Sequence, residues 1–503
     1  MADPFRKMQK IWPIFRWANW WISDDLFTGI KNSFYFSNDM EIRQDAKSVF
    51  PKPIPAYADA TKRAWISITS LTYPSCVLYS VDDNWWLVWI WKYIYKVSWT
   101  TSTLLCTLPN RVCDMEIFNW YFYCSTETYV YYKIINWFDH WADMEASTDN
   151  TEVSYWRCVD TLTSNAYHPL YWTDVCLCVW DNNKVRKITK EVYDALQDWF
   201  KTQSNFRIRF IDEMWWYIRV SAVDEPYWSQ ILLWNKVDDS ATEVIPLEWH
   251  SIFQSAIYNW YQYILTNKCL WLLNWYQLYP LKKVDWEITT SWYSNWMCVY
   301  DDKLYFIAND WVYIYWAKNK NYADVLWLWH KVEDWYHLWA IWAYKNWIMV
   351  TRWSKSIWLW TREPAYVWVN EWLAETWEIQ TMCYFGTSMS EIKQSMYLRV
   401  GYHLGKEWDN SWDIHIYYRT EADATTDNPD DWQWHPVQEN DIGLSAARDM
   451  RSPFATTLKL NCRFQWIQFK FVLTNCVWTD SWTTYTKDTN LYSADLYYNT
   501  MLD

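Results

Sequence analysis

Twelve cysteines and eight histidines are the side chains best suited to metal binding or nucleophilic catalysis, and they are scattered without a recognisable motif. No CxxC pair, HExxH spacing, GxSxG or phosphate-binding loop occurs in the sequence as it is written. Cys176 and Cys178 form the closest pair, and strand alternation places both thiols on one face. We interpret that face as buried rather than as a metal or redox site. We predict no catalytic residue and no cofactor, and we assign no chemistry to His140, His168, His250, His330, His337, His403, His415 or His435.

Four charged residues could nevertheless support sugar chemistry. Glycosidase propellers place carboxylates and arginines on a central channel, and this role could fall to Asp212, Glu213, Arg219 and Arg352. Exposed charges in turns explain the same residues more simply, so the prediction for these four is a structural one.

A polar segment from Glu421 to Trp434 is rich in aspartate, with carboxylates at Asp423, Asp427, Asp430 and Asp431. Clustered carboxylate oxygens are the ligands that Ca²⁺ prefers. The ligand order of an EF-hand is absent, which favours a solvated loop. A metal site in this loop stays an open alternative.

The overall charge limits the kinds of partner. Acidic residues number 59 and basic residues 45, which gives a net charge of -14 and argues against a nucleic-acid-binding surface. The longest strongly apolar run, Trp85 to Ile90, is far shorter than the ~20 residues of a membrane span. The first residues lack the apolar stretch of a secretory signal. We expect synthesis in the cytoplasm, no membrane span and no nucleic-acid partner.

The tryptophan content is far outside the usual range. The chain has 49 tryptophans and 5 glycines, and tryptophan follows asparagine eight times and aspartate five times. Asn-Gly and Asp-Gly are the dipeptides that two-residue hairpin turns require, because the central residues need positive φ. We infer that most of these tryptophans are misread glycines. Some bacterial lineages and their phages read UGA as glycine, whereas other translation tables assign UGA to tryptophan.

This inference makes specific predictions. Trp260, Trp311 and Trp347 should occupy exposed hairpin turns with their indoles in solvent, whereas authentic tryptophans should be buried. Trp466 is the best candidate for an authentic tryptophan, because the sequence around it predicts a strand, in which glycine would weaken packing. The alternative is a protein that is truly rich in tryptophan.

A repeat of turns and aromatic strands predicts the fold. Anchors near Trp215, Asn259, Asp302 and Asn346 are spaced by 44, 43 and 44 residues. A period of about 40 to 50 residues is typical of β-propellers. We predict an all-β protein with a propeller of six or seven blades at 61–375. One helix, capped by Thr189 and ending near Trp199, should interrupt the blades.

Two further segments flank the predicted propeller. Residues 1–60 show no repeat and end in Pro51, Pro53 and Pro55, which indicates an amino-terminal arm with a stiff linker that packs on a neighbour or on the propeller. Residues 376–503 contain longer alternating strands and predict a β-sandwich or jelly roll.

This layout resembles that of tail or other virion structural proteins of tailed bacteriophages. The resemblance rests on Phe27 to Phe34, the repeated units, Ile416 to Thr420 and Arg463 to Phe469. It implies a non-enzymatic protein located in the virion, within a homo- or hetero-oligomeric assembly, that contacts other virion subunits and a host-surface glycan. Two alternatives remain, namely a polysaccharide-active or glycan-binding propeller enzyme with a carbohydrate-binding sandwich, and a cell-envelope adhesin.

Overall fold

The fold is all-β, and the computed structural model divides the chain into two compact units. One unit comprises Pro55–Asp310 and Val332–Tyr366, and the other comprises Met1–Ile54, Trp311–Lys331 and Val367–Asp503. The structure describes 10–15, 34–38, 40–42, 49–51, 66–67, 76–80, 86–90, 92–98, 101–107, 112–118, 121–126, 131–134, 144–146, 159–163, 175–181, 184–189, 197–201, 210–214, 217–224, 228–234, 242–284, 296–317, 324–331, 336–344, 347–354, 361–368, 376–386, 388–403, 414–437, 454–474, 476–480, 483–487 and 490–501.

Seven four-stranded antiparallel sheets follow one another along the chain. The first three sheets contain the strands Cys76–Ser80, Trp86–Ile90, Tyr93–Ser98 and Thr101–Thr107; Val112–Phe118, Tyr121–Thr126, Tyr131–Ile134 and Met144–Ala146; and Val159–Thr163, Val175–Asp181, Lys184–Thr189 and Gln197–Lys201. The fourth and fifth contain Ile211–Met214, Tyr217–Asp224, Trp228–Trp234 and Glu243–Glu248; and Ile252–Tyr258, Tyr261–Thr266, Cys269–Asn274 and Gln277–Lys283. The sixth contains Met297–Tyr300, Lys303–Ala308, Trp311–Trp316 and Val325–Lys331.

The seventh sheet combines strands from two distant parts of the sequence. Its strands Tyr336–Tyr344, Trp347–Ser354 and Thr361–Trp368 are completed by Ile66–Ser67, which precedes the first sheet. Thr361 lies opposite Ser67 in this antiparallel pair. The first strand of the seventh sheet also packs against Cys76–Ser80, the first strand of the first sheet. The last of the small sheets therefore contacts the first.

The helix predicted after Thr189 is wrong in its second half. Gln197–Lys201 is a strand, in which Phe200 lies opposite Val185. Phe200, one of the apolar residues that suggested a helix, instead belongs to a strand, because pairing with Lys184–Thr189 overrides a weak local propensity. Residues 190–196 lie outside the described part. The described residues contain two short 3-10 helices and no α-helix. Neither 3-10 helix is long and apolar enough to cross a membrane.

Apolar side chains and a recurrent hydrogen-bond pattern join neighbouring small sheets. Ile231 and Leu247 of the fourth sheet share one buried cluster with Ile264 and Leu273 of the fifth. Gln254 of the fifth sheet accepts backbone N–H groups of Trp296, at 2.5 Å, and Met297, at 2.9 Å, and its amide donates to the Met297 carbonyl. These partners lie about one sequence repeat away.

The other unit contains two larger sheets. One orders Met40–Ile42, Val49–Pro51, Asn490–Thr500, Lys393–His403 and Phe454–Lys459, and adds Lys10–Phe15 and Arg463–Phe464. The second orders Phe34–Asn38, Thr376–Thr381, Ile467–Thr474, Ile414–Thr420 and His435–Pro436. A separate hairpin joins Cys476–Asp480 to Thr483–Lys487, and short 3-10 helices cover Glu421–Asp423 and Pro429–Asp431.

Aromatic rings pack between these two sheets. Trp12, from the seven-stranded sheet, stacks on Tyr384 at 4.1 Å between ring centroids and lies 6.1 Å from Phe469 of the five-stranded sheet. The hydroxyl groups of Tyr384 and Tyr498 are 2.8 Å apart. Burial raises the pKa of Tyr384 well above its ordinary value, with the Tyr498 hydrogen bond as a second cause.

The segment predicted as a separate arm contributes strands to both larger sheets. Ser37, in Phe34–Asn38, donates its hydroxyl to the Leu328 carbonyl at 3.3 Å and accepts the Leu328 N–H at 3.1 Å. The Trp327 indole donates to the Met40 carbonyl at 3.0 Å. Strand pairing also joins Lys10–Phe15 to Asn490–Thr500 and Phe34–Asn38 to Thr376–Thr381. A sequence segment without a repeat does not reveal such long-range pairing.

We expect the hydrogen bonds between the Gln254 side chain and the backbone of Trp296 and Met297, which we call the Gln254 bridge, to stabilise the small sheets. Gln254→Leu should lower the free energy of unfolding by about 1–3 kcal/mol, because two backbone N–H groups lose their acceptor. Urea denaturation followed by fluorescence measures the change. Gln433→Leu, at an exposed position, serves as the control and should unfold like the parent. Equal midpoints for Gln254→Leu and the parent would contradict the proposed bridge.

A buried lysine should make stability dependent on pH. Burial lowers the pKa of Lys282 from 10.5 to about 8. Between these values the unfolded chain holds a proton that the folded chain has lost, so the free energy of unfolding rises with pH. Lys282→Met should remove this slope and stabilise the protein near neutral pH. Urea titrations across the window test this, with the exposed neighbour Lys283→Met as the matched control.

Candidate functional site

Several charged and aromatic side chains lie close together on the strand Ile414–Thr420 and in the segment 421–434 that follows it. Burial along this strand alternates from Ile414 to Tyr417, and the alternation breaks at Tyr418 and Arg419. Arg419 lies opposite Gln468 and Tyr417 lies opposite Lys470 on the neighbouring strand Ile467–Thr474. Strand register thus places one cation beside an amide and another beside a phenol.

The two cations alternate with three aromatic rings. The Arg419 guanidinium carbon lies 4.9 Å from the centroid of the Trp432 ring and 4.3 Å from that of Trp434. The Lys470 ammonium lies 4.9 Å from the Trp434 centroid and 5.0 Å from that of Tyr417. We call these five residues the cation–aromatic ladder. Each cation–aromatic contact contributes about 0.5–2 kcal/mol, with the larger values where water is excluded.

Arg419 is the buried centre of the ladder, with 1% of its surface exposed. Its Nε donates to Gln468 Oε1 at 2.6 Å, and another guanidinium nitrogen donates to the Pro429 carbonyl. Burial lowers the pKa of Arg419, and the nearby carboxylates of Asp430 and Asp423 are among the groups that oppose this shift. An arginine stays protonated even so, and its planar donors hold 421–434 against the sheet.

Carboxylates of the same segment also bind to the protein itself. Asp423 accepts the Thr420 N–H at 2.8 Å, and its second oxygen lies 2.6 Å from Nε2 of His435. Glu421 accepts the backbone N–H groups of Gln465 and Trp466 at 2.9 and 3.2 Å. These carboxylates therefore fix the ends of 421–434 by hydrogen bonds.

The structure bears on the alternative of a calcium site. Asp427, Asp430 and Asp431 lie on the exposed surface, whereas Asp423 has the partners given above. Within the described ranges, no three His, Cys, Asp or Glu side chains lie close enough together to hold a metal ion. What the described side chains of this segment supply is hydrogen bonding and ring stacking.

The four residues considered for sugar chemistry have different outcomes. Asp212 accepts the Gln262 amide at 2.7 Å and the hydroxyl of Ser255, both from the next sheet along the chain. Backbone register places Arg219 opposite Asp212 and Arg352 opposite Leu338. The side chains of Glu213, Arg219 and Arg352 lie outside the described part. Asp212 thus takes part in contact between sheets.

Histidines and cysteines are also dispersed among structural contacts. His337 Nδ1 lies 2.8 Å from Asp310 Oδ2, and His250 Nδ1 lies 3.1 Å from the Thr266 hydroxyl. Burial lowers the pKa of His250, helped by the charge of Lys268. Cys176 and Cys178 fall on the strand Val175–Asp181, as the alternation predicts, but their side chains are outside the described part. His140 and His168 are likewise outside it.

The sequence did not predict the ladder. Alternation at Ile414 to Arg419 and at Ile467 to Leu473 indicated two strands correctly. The register that sets Lys470 beside Tyr417 depends on long-range pairing, and the position of Trp434 depends on the path of 421–434. The one available signal was the density of aromatic and charged residues in these two segments.

Comparisons with known proteins identify no family. No protein-family model and no curated protein matches the chain. Similar solved structures include the computationally designed Ika8 protein, with 10% identity, a TM-score of 0.35, and coverage of 61% of this chain and 99% of that one. A catalytically inactive virginiamycin B lyase from Staphylococcus aureus with quinupristin has 8% identity, a TM-score of 0.42, and coverage of 61% and 99%.

The mitotic checkpoint complex supplies a third similar structure, with 8% identity, a TM-score of 0.43, and coverage of 62% of this chain and 96% of that one. At these identities and scores the likenesses carry no information about what this chain does.

Arg419 should be intolerant even of lysine. Arg419→Lys keeps the charge but loses the planar donors that reach Gln468 and Pro429, so the free energy of unfolding should fall by about 1.5–3 kcal/mol. Chemical denaturation measures this loss. Arg463→Lys, at an exposed position, is the matched control and should be nearly neutral. Equal losses for the two variants would show that the ladder contributes no specific stability.

Proposed function

We propose that this chain is a non-enzymatic structural protein of a tailed-bacteriophage virion, built from a seven-bladed β-propeller and a β-sandwich. Seven consecutive four-stranded sheets, with the last completed by Ile66–Ser67 and packed on the first, support the propeller. Aromatic packing of Trp12 between the two larger sheets supports the sandwich.

The observation that carries this proposal is that the described charged side chains of Asp212 and Arg419 form hydrogen bonds within the protein. Asp212, the described member of the residues considered for catalysis, receives hydrogen bonds from Ser255 and Gln262. Arg419 bonds Gln468 and the chain at Pro429. Charged side chains that join sheets and fix loops are typical of a structural scaffold. The net charge of -14 also favours separate, soluble subunits before assembly.

The phage assignment rests in addition on the inferred reading of UGA as glycine, since phages of recoded hosts carry such genes. Other virion subunits are the partners in this proposal, within a homo- or hetero-oligomeric assembly in the virion. The protein is made in the host cytoplasm and acts through protein–protein contacts.

A host-surface glycan is a second proposed partner, and the part-exposed residues of the cation–aromatic ladder favour it. Tyr417, Lys470 and Trp434 are each part-exposed, so a ring and an ammonium group lie side by side near solvent. Aromatic faces stack on the apolar face of sugar rings, and an ammonium group donates to their hydroxyls. In this proposal the protein binds the glycan and does not cleave it.

Particle composition tests the proposed role. Mass spectrometry of particles purified by density gradient from a culture carrying the gene should detect the chain in fixed copy number, and antibodies should label it on the particle. Particles that lack the chain, with all of it in the soluble cell fraction, would overturn the virion assignment.

Glycan arrays with the purified chain test the second partner. Tyr417→Ala should reduce binding, whereas Tyr279→Ala, an exposed tyrosine of the other unit, should leave it unchanged. Release of reducing sugar from a bound glycan would favour the enzyme alternative instead.

A further inference from the structure

Three tryptophans have a backbone conformation that L-residues rarely adopt. The φ angles are +64° at Trp249, +68° at Trp260 and +55° at Trp275. The other described residues with positive φ are Gly386, at +69°, and asparagines and aspartates, which are the residue types that tolerate this conformation. For a residue with a Cβ atom, the left-handed region costs about 1–2 kcal/mol.

Strand pairing imposes this conformation at two of the three positions. Tyr258 lies opposite Tyr261, which leaves Asn259 and Trp260 as a two-residue turn in which both φ angles are positive. Asn274 lies opposite Gln277, which leaves a two-residue turn with positive φ at its first residue, Trp275. The first pattern is typical of a type I′ turn with Asn-Gly, and the second of a type II′ turn that begins with glycine.

The side chains at these positions are mostly exposed. Trp249, Trp260 and Trp275 are 61%, 67% and 56% exposed, whereas tryptophan is highly buried on average. Each indole thus accompanies an unfavourable backbone conformation without the compensation of burial.

A second group of tryptophans has the opposite properties. The indole N–H of Trp432 donates to the Thr426 carbonyl at 2.7 Å, and that of Trp327 donates to the Met40 carbonyl. Both rings are buried, and φ at Trp432 is -74°. Trp466 lies between the strands Arg463–Phe464 and Ile467–Thr474 and not within a strand as predicted, but it is buried, with its ring centroid 5.5 Å from that of Trp432. Trp12 is also buried and stacks on Tyr384. A buried indole with a bonded N–H is the environment that selects tryptophan.

We propose that the natural protein has glycine at 249, 260 and 275 and tryptophan at 12, 327, 432 and 466. The letter W therefore stands for two amino acids, and the geometry of each position separates them. This assignment deepens the reading of UGA as glycine, and it stands without the virion role because it depends only on backbone angles, burial and hydrogen bonds.

The gene and the natural protein give the direct test. Codons 249, 260 and 275 should be TGA, and codons 12, 327, 432 and 466 should be TGG. Peptide masses from protein made in the native host should show glycine at the first three positions and tryptophan at the other four. TGG and a tryptophan mass at 260 or 275, or TGA and a glycine mass at 327 or 432, would overturn the assignment. Presence or absence of the chain in particles has no influence on this result.

Synthetic genes with unambiguous codons give a test that does not need the native host. The triple variant Trp249→Gly, Trp260→Gly, Trp275→Gly should raise soluble yield and shift the thermal midpoint upward by a few degrees. The matched variant Trp327→Gly, Trp432→Gly should lower both, because it removes two buried rings and leaves two carbonyls without their donors. The reverse order of the two midpoints would overturn the assignment, and if neither variant folds, the peptide masses decide.

Discussion

The structure depends on the requirement that each small sheet be covered by another. The apolar faces of a four-stranded sheet are unfavourable in water, so they pack on neighbouring sheets. Buried Ile231, Leu247, Ile264 and Leu273 supply that packing between the fourth and fifth sheets. Gln254 adds directional contacts, since its side-chain amide both accepts and donates hydrogen bonds at the Met297 backbone, as a paired strand would. These hydrogen bonds fix the spacing of two sheets that share no backbone pairing.

The larger sheets also depend on contacts between distant residues. Their strands come from both ends of the sequence, so the sheets form only when residues far apart in the chain meet. Ser37 bonds the Leu328 backbone in both directions, and Trp327 bonds Met40. Arg419 joins segment 421–434 to its sheet through Gln468 and two aromatic faces. Buried polar groups of this kind are stabilising only while every donor has its acceptor, which makes the arrangement specific.

The sequence predicted what is local and periodic. A spacing near 43 residues indicated repeated sheets, and alternation at Ile467 to Leu473 indicated a strand with one buried face. It did not predict that Phe200 belongs to a strand, because a five-residue strand has the same apolar content as a helical turn. Nor did it indicate the partners of 1–54 or the ladder at Arg419, since register and long-range pairing leave no period in the letters.

Hairpin turns show which of the tryptophans that follow asparagine or aspartate have a strained backbone. Trp311 and Trp347 were predicted in exposed turns, yet each opens a strand, and Trp311 is part-buried beside Phe36. In the turn before Trp311, Asn309 and Asp310 take the positive φ angles, and these residue types tolerate them. An Asp-Trp pair therefore does not identify a strained tryptophan by itself. What identifies it is whether the tryptophan itself lies between the last paired positions, as Trp260 does between Tyr258 and Tyr261, where the turn type requires positive φ.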